Sequence, residues 1–496
     1  MRLLSLLIAF ALTFPLAAQE RRFDAKAVDR IVTDTMRAWQ LPGVAVAVVR
    51  NDRVVFVGGY GTTGIDSGEA VTADTLFQIA STSKAFTSTA LAMLVDEKKV
   101  SWDDPVRKHV DYFRLADLCA DSQVTVRDIL SHRTGLGRHD ELWDNSPWSR
   151  EEVIRKVGHL DGAREFRSAY QYQNIMYIAA GEVVANASGI SWDDFVRTRI
   201  FQPLGMTRTT ISDEEWERSP HAIGHRYDAK KGRTWVQPPI ETATLGAAGA
   251  IKSTARDMAH WIRFQLADGV FGQNQLVSPQ SLVETKTPQT IIRMQPSTRE
   301  SNPETHLISY GLGWVIQDYR GEFLVSHAGA LNGFRTHVDL LPKRDAGFVV
   351  MTNSGRGIAL IALRNALADL LTGKAGRDWN AYYLMIDRRA QEREEAARQE
   401  RLSKRHPDTT PSHPLKAFTG TFESASHGTA TIALDSSGLV FRWSRMAIPL
   451  VHFHYDVFLA ESESDWVDEQ LVFGTGSDGT VDSLTIFGQR FGRTTE

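Results

Sequence analysis

Three short stretches of the sequence carry residue types suited to acyl chemistry. Ser81-Thr82-Ser83-Lys84 sets a hydroxyl three residues ahead of an amine. On a helix this spacing puts both side chains on one face. Lys84 is then within reach of the Ser81 proton, and the helix start aims the Ser81 amide at a place where an oxyanion can form. The same serine also fits a plain N-cap, and the pair alone does not separate the two readings. Tyr172-Gln173-Asn174 supplies a phenol and an amide two residues apart at the entrance to a helix. A structural tyrosine beside a capping asparagine is the other reading of that stretch. His327-Ala328-Gly329-Ala330 ends an apolar run on small residues, which let a substrate lie close along a strand edge. Otherwise it is a strand that ends in a glycine turn with His327 packed.

These groups need elements to position them. Gly43 to Val49 reads as an apolar strand, Arg50-Asn51-Asp52-Arg53 as a turn, and Val54 to Val57 as the returning strand. Phe86, Ala90, Met93 and Leu94 recur at helical spacing after Ser81. Val126, Ile129 and Leu130 begin another helix, and Ile175 to Val184 a third. Strands are expected at 310–317, 322–329, 335–342 and 347–354, then a helix at 358–372. Strands at both ends with helices between predict one mixed α/β (α+β) domain with an antiparallel sheet. The charge-dense run 387–405 reads as a solvated connecting helix, followed by a Pro-rich linker at 406–414. From Leu415 onward, short strands about ten residues apart predict a small all-β sandwich or barrel. The expected divisions are 1–18, 19–375, 376–414 and 415–496.

Composition narrows the function classes. The chain has 496 residues and a formal net charge of −4, so no basic excess points to nucleic acid. Arg2, the apolar run Leu3 to Phe14 and the small residues Ala17-Ala18 form the pattern of a secretory signal cleaved after Ala18. A periplasmic or secreted protein without stable membrane insertion is the expectation. Cys119 is the single cysteine, so no intrachain disulfide forms, and its segment "RLADLCADS" predicts core packing. Gly59 to Gly64 and Gly474 to Gly479 both fit G-x-G-x-x-G, but neither opens a helix as a dinucleotide site requires. No G-x-S-x-G elbow occurs. His452 and His454 read as barrel wall, and His132, His139 and Asp140 lack a convincing further ligand for a metal.

Taken in order, "STSK", "YQN" and "HAG" resemble the active-site motifs of the serine β-lactamase and penicillin-recognising superfamily, class C-like branch. The flanks "VTVRDILSHRTGL" (124–136), "FQPLGMTRTTIS" (201–212) and "GAAGAIKSTARDM" (246–258) agree with it. The resemblance covers roughly 28–373, and the tail from 415 is similar to the lipocalin-like barrel appended to some peptidases of this group. It implies a β-lactamase/transpeptidase-like domain, its sheet flanked by helices with a helical subdomain, and a barrel expected to limit access to the site. It implies Ser81 as nucleophile and Lys84 and Tyr172 as the candidate bases. Asn174 would orient Lys84 and the substrate amide, and His327 would bond to the Tyr172 region. The oxyanion hole maps to the Ser81 and Ala330 amides, with Gly329 alongside. No metal or organic cofactor is implied.

His327 stands where class C β-lactamases usually carry Lys, which is closer to the DD-peptidase and D-aminopeptidase side. The expectation is an exported peptidase or amidase acting on D-amino-acid-containing or cell-wall-like peptides. Carboxylesterase, β-lactamase and non-catalytic binding or scaffolding protein follow in that order. A small peptide, amide or ester is the expected partner, in a chain that could form homo-oligomers.

Overall fold

The run Gly43–Arg50 (β1) is buried almost throughout because helices cover its sheet on both faces. Val44, Val46 and Val48 enter one core with helices α1 (Ala25–Trp39) and α5 (Gly357–Thr372); Ala45, Ala47 and Val49 enter the other with α2 (Ser83–Asp96) and α4 (Ala255–Leu266). The period of two along a strand assigns the residues to the two sides. Each such valine withdrawn from water contributes about 1.5–3 kcal/mol. Asn51 and Asp52 both take positive φ, at 51° and 54°, so the hairpin to β2 (Arg53–Gly61) closes with a two-residue turn.

This computed structural model describes residues 23–494, apart from 145, 229–230, 375, 437 and 461–468. The expected signal, 1–18, lies outside the described residues. The remaining strands of the sheet are β3 (Thr290–Ile292), β4 (Ile308–Tyr310), β5 (Val315–Tyr319), β6 (Glu322–Leu331), β7 (Phe334–Leu341) and β8 (Ala346–Thr352). Their order is β2-β1-β8-β7-β6-β5-β4-β3, all antiparallel. Val46 opposite Val350 joins the two ends of the domain, as the sequence predicts. The helical half is centred on α2 and α3 (Ile175–Ser188). Helix α3 is apolar around most of its circumference, as befits a helix packed on all sides, and ends on Gly189 at φ 82°.

Two expectations are corrected here. The stretch 310–317 is two strands: β4 ends at Tyr310, and Gly311 N–H bonds to Trp314 O at 2.8 Å to close a tight turn before β5. Gly313 sits there at φ 82°, and a Cβ on it would lie 2.8 Å from the Lys84 carbonyl oxygen, so the turn backs directly onto α2. Cys119 is exposed rather than packed in the core. Asp117 caps the short helix Leu118–Gln123 and sets its rotation, so that Ala120 and Asp121 face inward in its place. Arg107 pairs with Asp121 at 2.5 Å.

Helix α6 (Trp379–Ser403) begins well before the charge run, where Trp379, Tyr383 and Ile386 anchor it in the second core. Beyond it, eight antiparallel strands close a barrel: β9 (Gly420–Ser424), β10 (Gly428–Asp435), β11 (Gly438–Trp443), β12 (Met446–His454), β13 (Val457–Ala460), β14 (Gln470–Thr475), β15 (Val481–Ile486) and β16 (Gln489–Arg493). The closing strand β16 pairs with β9. Phe422, Phe441, Phe458, Phe473 and Phe491 are buried within the barrel domain. The barrel docks on the helical half through Trp443 against Trp148, Arg445 with Glu241 at 2.6 Å, and His427 with Glu141 at 3.0 Å. Among the described residues no helix is long and apolar enough to cross a membrane.

Candidate active site

Ser81 lies in a 3-10 turn, Ala80–Thr82, that leads into α2. The helix proper starts two residues later than the sequence suggests, with Thr82 as its cap position. Ser81 Oγ therefore caps nothing; it faces the amine of Lys84 at 3.1 Å. Ala80 holds φ at 49°, a left-handed conformation that an alanine adopts at a cost of roughly 1–3 kcal/mol. Gly329 of β6 packs under this turn. A Cβ there would sit 2.1 Å from the Ile79 carbonyl oxygen, so only glycine lets the strand reach Ser81. Strand β5 pairs with β6 only as far as Ser326, which leaves His327 to Leu331 paired on the β7 side alone. Ala328 and Ala330 are exposed on this stretch, beside the cleft.

Gly329→Ala tests this packing. The added methyl meets backbone, and overpacking of that kind destabilises by about 1–3 kcal/mol. A lowered melting temperature and a loss of activity greater than the loss of folded protein are expected. A variant with unchanged melting and turnover would contradict the close approach.

Lys84 is fully buried, yet none of its three hydrogen-bond partners is a carboxylate. Its Nζ donates to Asn174 Oδ1 and to Ala248 O, each at 2.7 Å, and its remaining direction faces Ser81 Oγ. Burial depresses the amine well below the ordinary lysine range; Asp140 opposes this and Arg138 adds to it. Tyr172 keeps some surface open to the cleft while protein crowds its other sides. Burial raises its pKa although Ser81 beside it pulls the other way, so the phenol stays protonated. The Lys84 amine also stands 5.0 Å from the Tyr172 ring centroid.

Asn174 occupies the cap position of α3 but spends its side chain elsewhere. It links Lys84 to Asp140, donating from Nδ2 to Asp140 Oδ1 at 2.9 Å. Gln173 instead accepts the Ile175 N–H at 2.7 Å. His327 reaches the site by a route the sequence did not reveal. Its Nδ1–H donates to Ala328 O at 2.7 Å, and Nε2 accepts from the Tyr310 hydroxyl at 2.9 Å. Its partner is therefore Tyr310, the last residue of β4, and not Tyr172. His132 was also missed as a site residue. Its ring centroid lies 4.3 Å from that of Tyr172 and 4.5 Å from that of Tyr310, and its Nδ1 accepts the Gln173 N–H at 3.1 Å. Its place inside "SHRTG" (131–135) was the only local signal.

Two of these imidazoles are held neutral. Burial, with Lys84 nearby, brings His327 down to about 3 and His132 well below the usual value near 6.5. Unfolded histidines bind a proton near pH 6.5, so between there and about 3 the native chain carries fewer protons than the unfolded one. Stability then rises with pH in this window and is lost on acidification. The urea midpoint is expected to fall between pH 7 and pH 5, before most carboxylates titrate; an unchanged or rising midpoint would contradict the burial of neutral imidazoles.

These groups open into a cleft of about 1760 Å³, lined by Ser81, Tyr172, Asn174, His327 and the 328–331 stretch. Its far wall is α6, through Asp387, Gln391, Glu394 and Arg398. Among the described lining residues none comes from 415 onward, and the connecting helix supplies this wall. Arg335 also lines the cleft, with Nη1 donating to the Leu331 and Phe334 carbonyl oxygens at 2.8 and 2.7 Å.

A serine, a buried amine and a phenol beside a free strand edge, on this sheet-and-helix frame, define a serine hydrolase of the β-lactamase/transpeptidase-like fold. Residues 28–374 match the family model described as Beta-lactamase, and 404–495 match a domain of unknown function, DUF3471. The chain belongs to the Beta-lactamase family. It is 30% identical over 425 residues to the Unguisins hydrolase ungD' of Aspergillus campestris, covering 82% of this chain and 77% of that one. Protein flp of Staphylococcus aureus is 25% identical over 330 residues, spanning 66% of this chain and 62% of its own. The octameric penicillin-binding protein homologue from Pyrococcus abyssi superposes with a TM-score of 0.63 at 23% identity, over 95% of this chain and 100% of that one. The D-amino acid amidase from Ochrobactrum anthropi gives 0.59 at 23% identity, over 70% and 99%.

Proposed function

We propose that the protein is an exported serine peptidase or amidase that forms an acyl-enzyme on Ser81 and acts on D-amino-acid-containing or cell-wall-like peptides. The observation that carries the chemistry is the Lys84 environment. A neutral amine has two N–H groups, and the carbonyls of Asn174 and Ala248 accept both at 2.7 Å. Its lone pair is then left for the Ser81 hydroxyl at 3.1 Å. As Ser81 Oγ attacks the substrate carbonyl carbon, its proton passes to Lys84 Nζ. The oxyanion meets the Ser81 and Ala330 amides, donors of a kind whose loss costs about 3 kcal/mol of transition-state stabilisation. As the tetrahedral intermediate breaks, the leaving amine takes a proton relayed from Lys84 through Tyr172. Water then attacks the Ser81 ester and gives a proton to the same pair, which passes it to Ser81 Oγ as the acid leaves.

Support for the substrate class comes from two sides. The relative named a D-amino acid amidase shares the fold. His327 is neutral where a β-lactamase would present a fixed cation, which weakens the grip on a β-lactam carboxylate. The test is a panel of D-Ala-D-Ala peptides, D-aminoacyl amides, p-nitrophenyl esters and a chromogenic cephalosporin, with Ser81→Ala as control. Turnover of D-configured amides above their L-counterparts and above esters supports the proposal; preference for short esters over every amide turns it into the carboxylesterase reading. Export and self-association are part of the same proposal. Cell fractionation with and without residues 1–18 and light scattering of the purified chain test them.

A further inference from the structure

A second cluster of reactive side chains lies at the seam between the catalytic domain and the barrel. His139 and Glu141 stand on the loop around the short turn Asp140–Leu142. His427 comes from the connection between β9 and β10, 286 residues along the chain from Glu141. His139 Nδ1 lies 3.2 Å and His427 Nε2 3.0 Å from the same oxygen, Glu141 Oε1. One ligand atom from each residue falls within 4.8 Å of the others. We propose that His139, Glu141 and His427 form a binding site for a zinc-type divalent cation that clamps the barrel to the catalytic domain.

The donor set and its surroundings carry the assignment. Two imidazole nitrogens and one carboxylate, with water in fourth place, suit zinc. Metal–ligand bonds of about 2.0–2.1 Å put neighbouring ligands of a tetrahedron about 3.4 Å apart, close to both short separations here. His427 is completely buried, and its other nitrogen, Nδ1, is fixed by Ser426 Oγ at 2.7 Å. Metal-bound histidines are commonly oriented by such a bond. The rings of Trp443, Phe487 and Phe491 surround His427, which keeps water off that side. Glu141 is only 7% exposed, and a buried carboxylate needs compensating charge that a divalent cation supplies. Nothing in the serine chemistry uses these three residues. Asp140, between two of them, accepts from Asn174, so the clamp would steady the loop behind Lys84.

The full-length protein, stripped with chelator, is dialysed against zinc, and cobalt is used as a spectroscopic probe. One zinc per chain, a visible cobalt spectrum of low-symmetry N/O ligation and a melting temperature several degrees higher with metal are expected. All three should be lost in both His427→Gln and His139→Gln. His139 is the more exposed, so its variant serves if His427→Gln melts early without metal. Metal-free wild type that takes up no more zinc than the variants would overturn the site. So would zinc binding that survives either substitution in a folded chain.

Discussion

Replacing Lys84 by methionine is expected to lower kcat/KM on an amide substrate by about a thousandfold, within the 10²–10⁴ range of general-base catalysis. Methionine fills a similar volume but offers no lone pair to the Ser81 proton. Lys84→Arg should fare no better, because a guanidinium stays protonated and cannot accept. This separates a base from a structural cation, which arginine would partly replace. The pH profile of wild-type kcat/KM follows from the direction of the shift. Burial lowers the amine below its ordinary range, so the active, neutral form accumulates as pH rises through that lowered value. Activity should therefore climb on an acidic limb and already be near its plateau well below the pH at which free lysine titrates. That limb should vanish in Lys84→Met. A profile unaltered by the substitution would remove Lys84 from the role of base.

Tyr172→Phe is expected to cost about a hundredfold in kcat/KM. Phenylalanine keeps the ring that packs on His132 and the Lys84 amine, so the fold and the Lys84 pKa should be largely preserved. What disappears is the hydroxyl beside Ser81, and with it the relay to the leaving group. Burial raises the phenol, so wild type should show no alkaline fall from a Tyr172 phenolate in the ordinary assay range. The loss should be larger for amides than for activated esters, whose leaving groups need no proton. Equal losses on both substrates would point to a positioning role for Tyr172.

The parts of this site that sequence made legible were those carried by local pattern. The Ser81–Lys84 spacing depends only on one helical turn, and the apolar run at 43–49 announces a doubly covered strand. The Tyr310–His327 bond was hidden because it depends on where a turn falls between two strands; a single expected strand at 310–317 places Tyr310 nowhere in particular. His139, Glu141 and His427 were equally hidden, since only docking of the barrel brings His427 to the loop. The charge run 387–405 covers the exposed part of α6, as its composition predicts, but the buried first turns of that helix lie before the run and outside its pattern. Trp379 and Tyr383 were the residues that fix its course over the cleft. Cys119 failed for the opposite reason: its apolar neighbours suggested burial, while Asp117 capping set a helix rotation that leaves Cys119 itself exposed.

The central claim is that Ser81 is the nucleophile, activated within this site. The most direct measurement is peptide mass mapping after reaction with a fluorophosphonate, on wild type and Ser81→Ala. A single phosphonyl adduct on the peptide that contains Ser81, formed rapidly in wild type, slowly in Lys84→Met and not at all in Ser81→Ala, is the predicted result. An unmodified wild-type chain, or an adduct that persists in folded Ser81→Ala, would contradict it.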